Sequence, residues 1–370
     1  MTLPGSGTLS FTDIETEFGL ISGTNTRKLG SYRVSYSNTG DNGDLTNLPL
    51  DTGVPQSGPI KFSDFYSKKL NMIVNYYSGA TETRPETAWN RYTNYNSSSN
   101  SPSDDVKVIG PALNSDGTWS VTKPTNTSGK RVIIHVNKTI GSVSDSSANK
   151  CAVRTGSGWN SGTTLEINVG EEGQLLGAGG NGGEGRSPGC GTGGVGGPGT
   201  SALGIEYNGT AVTVQDEAIL SAGFGGGGGG AGSESHEGSE HWAGGGGGGG
   251  GAGFPAGEGN DGAGGTGTDG TSTEGGTGGA RQCQGGAEAC GGVGGNGGEA
   301  TSAATNGGEG STNGDKSCAG SGGVGGAAGS AIRKSADAIG YTLTVEGDGA
   351  VNGSQANTSA SSGGGSIGVS

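Results

Sequence analysis

The chain is poor in the material of an ordinary protein core. Only 28% of its 370 residues are hydrophobic and 5% aromatic, against roughly 45–50% apolar usage in a typical soluble domain, so a single large oily core is excluded. Basic residues are scarce too: 20 Lys and Arg stand against 34 Asp and Glu, a formal charge of −14. Nucleic acids are held by Lys and Arg on phosphates, so no nucleic-acid partner is expected. No apolar run approaches the ~20 residues of a membrane span, so membrane insertion is not expected either. Residues Met1 to Phe11 carry neither the basic nor the apolar stretch of a secretion signal. The five cysteines form no CxxC pair and no zinc spacing. Free thiols are their expected state, with a disulfide such as Cys283 to Cys290 as the first alternative and a metal site as the second.

What the chain has in excess is glycine, 89 residues of it, concentrated between residues 177 and 330. Glycine-rich sequence is ordinarily flexible linker, but here the other residues keep a register. They fall at Ala178, Asn181 and Glu184, at Thr192, Val195 and Pro198, at Ala263, Thr266 and Asp269, at Val293, Asn296 and Glu299, and at Ser321, Val324 and Ala327. A step of three matches a polyproline II-type helix, in which every third residue lies on one edge. With glycine on the other two edges, neighbouring helices can approach closely enough for N–H and C=O groups to bond between them, as buried backbone requires. The expected structure is a polyglycine II helix bundle, a sandwich cored by backbone. Collagen is excluded, because its triplet has one Gly and abundant Pro, whereas this chain has two Gly per triplet and 11 Pro in all.

Two internal repeats organise the rest. Pro4, Ser6, Gly7, Leu9, Phe11, Asp13 and Ile14 recur as Pro55, Ser57, Gly58, Ile60, Phe62, Asp64 and Phe65. In each copy an acidic residue follows Ser or Thr (Thr12-Asp13, Ser63-Asp64), where a short helix could be N-capped. Residues 1–70 therefore read as a small attachment module, with Leu9, Phe11, Asp13, Ile14, Phe18, Ile60, Phe62, Asp64 and Phe65 as its attachment residues. Residues 71–176 are rich in short β-branched runs and read as a β-rich domain. There Trp89, Trp119 and Trp159 are expected to anchor cores, and His135 to be structural. The second repeat, Leu165 to Gly177, Val212 to Ser221 and Leu343 to Asn352, has one plan: a strand of alternating apolar residues, an acidic turn and a second apolar pair. Such units could form a β platform from which glycine segments leave and to which they return. The overall fold class is mostly β and irregular, with a glycine domain at 177–353 and a flexible tail at 354–370.

Side-chain-rich interruptions of the glycine tracts are the candidate binding loops, since rigid scaffolds with variable loops are a common binding architecture. His236, His241, Trp242, Phe254 and Arg281 are the candidate contacts; the competing reading is that Trp242 and Phe254 only cap the block. His236, Glu237, Glu240 and His241 are metal ligands by type, but the spacing is unfamiliar and no helix supports it, so no metal site and no cofactor are expected. GxGGxG strings are plentiful, yet none follows a strand and opens a helix, so no nucleotide site is expected. Nothing resembles a catalytic triad.

The opening SGTLSFTDIETEFG (Ser6 to Gly19) and its echo SGPIKFSDF (Ser57 to Phe65) resemble a module found on tailed-bacteriophage virion proteins. TGSGWNSGTTLEINVGEEGQLLGAGGNGG (Thr155 to Gly183), with the polyglycine that follows, resembles glycine-rich phage tail-fibre proteins and the distal adhesins of T-even-like phages. The resemblance implies a fibre-tip adhesin of the virion, assembled in the host cytoplasm and exposed on the particle. Residues 1–70 would join it to other virion proteins. The C-terminal loops, with His236, Glu237, His241, Trp242, Phe254 and Arg281, would bind a host surface protein or glycan. The alternatives are a decoration or collar-fibre protein without a receptor and, further off, an ice-binding protein. Both a monomer and a homotrimer are compatible with the sequence.

Overall fold

The computed structural model describes residues 3–18, 20–21, 27–32, 54–55, 58–69, 71–76, 106–109, 121–122, 128–142, 150–236, 240–285, 288–312 and 317–356. It is built mostly of strands; among the described residues there is one α-helix, Phe11–Phe18.

The apolar core belongs to a three-sided parallel solenoid. One face carries the strands Asn71–Tyr76, Arg131–Val136, Thr164–Val169, Thr210–Val214 and Tyr341–Val345 in parallel, with Val106–Ile109 antiparallel at one edge. A second face stacks Thr139–Gly141, Gln174–Leu176, Ile219–Ser221 and Ala350–Asn352, and a third stacks Cys151–Arg154, Ser201–Ile205, Ser330–Lys334 and Ser354–Ala356. The chain visits the faces in turn, so the repeats at Leu165, Val212 and Leu343 are successive rungs. In-register pairing places Ile134, Ile167, Val212 and Leu343 in one row, and Ile140, Leu175, Leu220 and Val351 in another. Alternation puts the apolar residues of the first face inward, where they meet Val153, Leu203 and Ile332 of the third. Tyr341–Val345 is the edge strand of its sheet among the described residues, and Val345 is exposed there.

The acidic turns of the repeat are corners. Gly173 N–H bonds Gly170 O, Ala218 N–H bonds Gln215 O, and Gly349 N–H bonds Glu346 O. Left-handed backbone falls at Glu217 (φ 60°) and Gly347 (φ 51°), and Asp348 N–H donates to Asp216 Oδ1 at 2.7 Å, tying one corner to the next. His135 is buried within its strand, and Trp159 is buried with Nε1 donating to Thr155 O at 2.8 Å. Trp89 and Trp119 lie outside the described residues.

Strands on both sides of residue 176 share these three sheets, so the apolar core does not divide there. The tail also starts later than expected: Ser354–Ala356 pairs in parallel with Ser330–Lys334, and residues 357–370 lie outside the described part.

The glycine segments are inserted between the second and third faces, at 177–200 and 222–329, and are held by main-chain hydrogen bonds. Gly177, Gly180, Gly183 and Arg186 donate to Ser221, Phe224, Gly227 and Gly230. The middle segment gives the fullest picture. Gly245, Gly248 and Gly251 donate to Arg186, Gly183 and Gly180; Gly246, Gly249 and Ala252 to Gly292, Gly295 and Gly298; Gly247, Gly250 and Gly253 to Gly265, Thr268 and Thr271. Consecutive residues thus address three different neighbours, one third of a turn apart. A Cβ at Gly248 would lie inside the van der Waals envelope of Gly227 O, and one at Gly247 inside that of Asn260 O. Larger side chains mostly take the outer edges, where Val195, Val293 and Val324 are exposed, while Ala178, Ala231 and Ala252 are buried and Phe224 packs with Ala222 and Ala252.

The N-terminal echo is a physical pair. Ser10 caps the helix, with Asp13 Oδ2 accepting from Ser10 N–H (2.8 Å) and Oγ–H (2.7 Å). Those bonds hold the Asp13 carboxyl below its usual range, the side-chain bond foremost. In the second copy Lys61 N–H donates to Asp64 Oδ2 at 2.7 Å at the start of the 3-10 turn Phe62–Phe65. The caps are therefore Ser10 and Lys61, in each copy two residues before the expected Thr12 and Ser63 breaks. Asp13 and Asp64 take the reciprocal position three residues on. Leu3 N–H to Lys68 O and Ser67 N–H to Pro4 O, both 3.0 Å, join the two copies. Glu17 and Lys130, 2.5 Å apart and both buried, link this module to the solenoid.

Candidate functional site

The glycine block has two ends of different character. At the near end, against the solenoid, the turns are tight: Thr271 N–H bonds Glu274 O, and Glu299 N–H bonds Ser302 O. At the far end the chain makes longer excursions that form two small sheets. Ser233–Ser235 pairs antiparallel with His241–Ala243 on one side and Cys318–Ala319 on the other; Ala289–Cys290 pairs with Cys283–Gln284 and Ser311–Thr312. The two sheets touch one another, and Gly191 bridges to Gly232 alongside.

Registry sets the chemistry of this end. Glu234 stands opposite Trp242 on one neighbouring strand and Cys318 on the other, so the three share a face. Ser233 and Ser235 are buried, while Trp242 is 45% exposed. An indole in the open on a scaffold of glycine is a large apolar contact that the fold itself does not consume. His236 Nε2 lies 2.7 Å from Glu234 Oε1, and His241 Nε2 lies 3.2 Å from Glu288 Oε2. Gly244 N–H donates to Gln282 Oε1 at 3.1 Å, holding the second excursion against the first. Arg281 is exposed just before Cys283.

His236, His241, Trp242 and Arg281 are thus gathered at the far end. Phe254 is at the opposite end: its carbonyl accepts from Ser142 N–H at 3.1 Å and its N–H donates to Gly177 O at 2.8 Å. It fastens the block to the solenoid next to Gly141. Glu237 lies outside the described residues. Gln282, Glu288 and the Glu234–Cys318 pair carry no local sequence signal as binding groups. The last two are 84 positions apart, and only strand pairing brings them together.

The cysteines correct the free-thiol expectation. Cys283 and Cys290 are paired directly across a hairpin, with Cα atoms 4.1 Å apart, and Cys190 is paired with Cys318, Cα atoms 5.8 Å apart. The fifth cysteine, Cys151, is buried in the solenoid and forms no disulfide.

The attachment residues divide by burial. Ile14, Phe18 and Phe65 are fully buried with Tyr32 and form the module's own core, so a partner cannot reach them. Leu9, Phe11, Ile60 and Phe62 are half-buried, and the Phe11 and Phe62 rings meet edge to face at 4.9 Å.

A hydrogen-bonded block with side-chain-rich loops at its free end is an arrangement common among binding modules. The family model described as phage tail fibre adhesin Gp38 matches residues 110–356, well over half of the chain, and the chain belongs to that family. It is accordingly a bacteriophage virion protein of the tail. Among solved structures it is similar to the crystal structure of the gp37-gp38 adhesin tip complex of the bacteriophage S16 long tail fiber. The identity is 18%, the match covers 82% of this chain and 90% of that one, and the TM-score is 0.36. No curated protein matches.

Proposed function

We propose that the chain is a receptor-binding adhesin at the tip of a tail fibre, and that it recognises a host-cell surface protein or glycan through the far-end excursions. Trp242 is the central contact, with His236, His241 and Arg281 around it. The single observation that carries this reading is the convergence of three excursions, 233–243, 283–290 and 311–319, at the end of the block away from the solenoid, with an exposed Trp among them. The glycine block is proposed to be a polyglycine II bundle. Support comes from the three-way alternation of main-chain donors along 245–253 and from the absence of room for a Cβ at the inner positions. The module of residues 3–69, with Leu9, Phe11, Ile60 and Phe62 at its surface, is proposed to hold the adhesin on another virion protein. The role is one of binding without catalysis.

The test is competition. Purified chain added to host cells should slow adsorption of the phage, and Trp242→Ala should weaken that competition at least tenfold while leaving the unfolding transition unchanged. Equal competition by wild type and by a chain lacking residues 233–243 would sink the receptor-binding reading in favour of a structural fibre protein.

A further inference from the structure

The two cysteine pairs of the far end differ in their surroundings. Among the described residues no third His, Cys, Asp or Glu converges on Cys283 and Cys290. Around Cys190 and Cys318 one does: Glu234, opposite Cys318 in register, brings Oε2 to 3.4 Å from Cys190 Sγ. The ligand atoms of Cys190, Glu234 and Cys318 lie within 4.8 Å of one another. The other carboxylate oxygen, Oε1, is 2.7 Å from His236 Nε2. The three groups come from three separate excursions, so the folded block gathers them.

A disulfide makes no demand on a carboxylate. Two reduced sulfurs beside a carboxylate stay protonated as thiols, or ionise where a cation sits between them. Zinc takes thiolate sulfur at about 2.3 Å and carboxylate oxygen at about 2.0–2.2 Å, so one ion can reach all three groups once the Cys190–Cys318 bond is reduced and its sulfurs move apart. A hydrogen bond that orients a ligating side chain is the usual companion of such sites, and His236 is placed to donate one.

We propose that the reduced chain binds one soft divalent cation, of the zinc type, through Cys190, Glu234 and Cys318. His236 orients the carboxylate and water fills the fourth position. Binding breaks two S–H bonds and forms two metal–sulfur bonds, and both protons go to solvent. The disulfide is the oxidised alternative of the same sulfurs. To reach it the metal leaves, and a small-molecule disulfide takes up the two electrons, becoming two thiols. Either state ties the 186–191 excursion to the Cys318 strand, which pairs with the hairpin that carries Trp242; the metal-bound state also takes in Glu234 of that hairpin. The proposal rests on the Cys190–Glu234–Cys318 geometry and stands or falls independently of receptor binding.

Cobalt(II) is the probe, titrated under anaerobic conditions into the full chain reduced with a phosphine. The expected result is one cobalt per chain with thiolate-to-cobalt charge-transfer absorption. That absorption should be lost in Cys190→Ser and Cys318→Ser and kept in Cys283→Ser and Cys290→Ser, and His236→Ala should weaken affinity roughly 10–100-fold. Absence of a charge-transfer band in the reduced wild-type chain overturns the proposal whatever the variants do. So does a band that survives Cys190→Ser and disappears in Cys283→Ser.

Discussion

At Ile167 the solenoid buries a whole side chain, stacked between Ile134 below and Val212 above, whereas at Gly248 the glycine block has only an N–H to place, and gives it to Gly183 O at 2.8 Å. The first region spends its scarce apolar residues where a coil can cover them. The second orders a backbone at roughly 1–2 kcal/mol of entropy per residue and offsets that with hydrogen bonds worth roughly 0.5–1.5 kcal/mol net each, together with close packing of main chain on main chain. The difference teaches that the two regions should fail in opposite ways. A solenoid position tolerates a smaller side chain at a cost, while an inner glycine tolerates no side chain at all.

The sharpest way to break the comparison is Gly248→Val, whose Cβ would collide with the Gly227 carbonyl. We expect more than about 5 kcal/mol of destabilisation, beyond the ordinary range of single substitutions, seen as loss of the soluble folded chain or collapse of its denaturant midpoint. Ile167→Ala comes next: truncating a buried Ile should cost about 2–5 kcal/mol, measured as a lower midpoint with the far-end loops intact to proteolysis.

Acid discriminates less strongly. Glu172 in a solenoid corner is held below the usual carboxyl range, first by its hydrogen bond from Lys138 and then by that cation's charge. Glu299 in a near-end turn of the block is held down first by Thr301 and then by the Gly275 N–H. Carboxyls depressed on folding add stability that is present above their ordinary value near 4.5 and is lost as pH falls through the folded value. NMR titration of the two carboxyls should place both midpoints below that value; a midpoint above it in either would contradict the contacts described. The smallest effect is expected at an outer edge of the block, where Val324→Thr should change stability by no more than about 0.5 kcal/mol. A large loss there would mean that side chains, not backbone, hold the block.

Much of this was legible in the sequence, for identifiable reasons. The step of three at Thr192, Val195 and Pro198 marks which edge faces outward, because at the glycine positions a Cβ would meet neighbouring main chain. The repeat at Leu165, Val212 and Leu343 showed the rungs, since stacked coils must present like residues to the same core. What the sequence concealed was closure. That these units form a three-sided solenoid depends on Cys151–Arg154, Ser201–Ile205 and Ser330–Lys334 pairing across long glycine insertions, and no local pattern records it. The same holds at the far end. The hairpin brings Cys283 to Cys290 across a short span, but Cys190 meets Cys318 over a separation of 128 residues. For Phe254 the sequence leaves contact and cap both open, because a bulky residue between glycine tracts looks the same at either end of the block. Its bond to Ser142 is what distinguishes the ends.

Amide hydrogen exchange, resolved by segment on the full chain, addresses the backbone core most directly. The account predicts that residues 224–230 and 245–253 exchange as slowly as the solenoid strands Thr164–Val169 and Thr210–Val214, with the far-end excursions faster. Exchange of the glycine segments at the rate of an unstructured peptide, beside a protected solenoid, would contradict it.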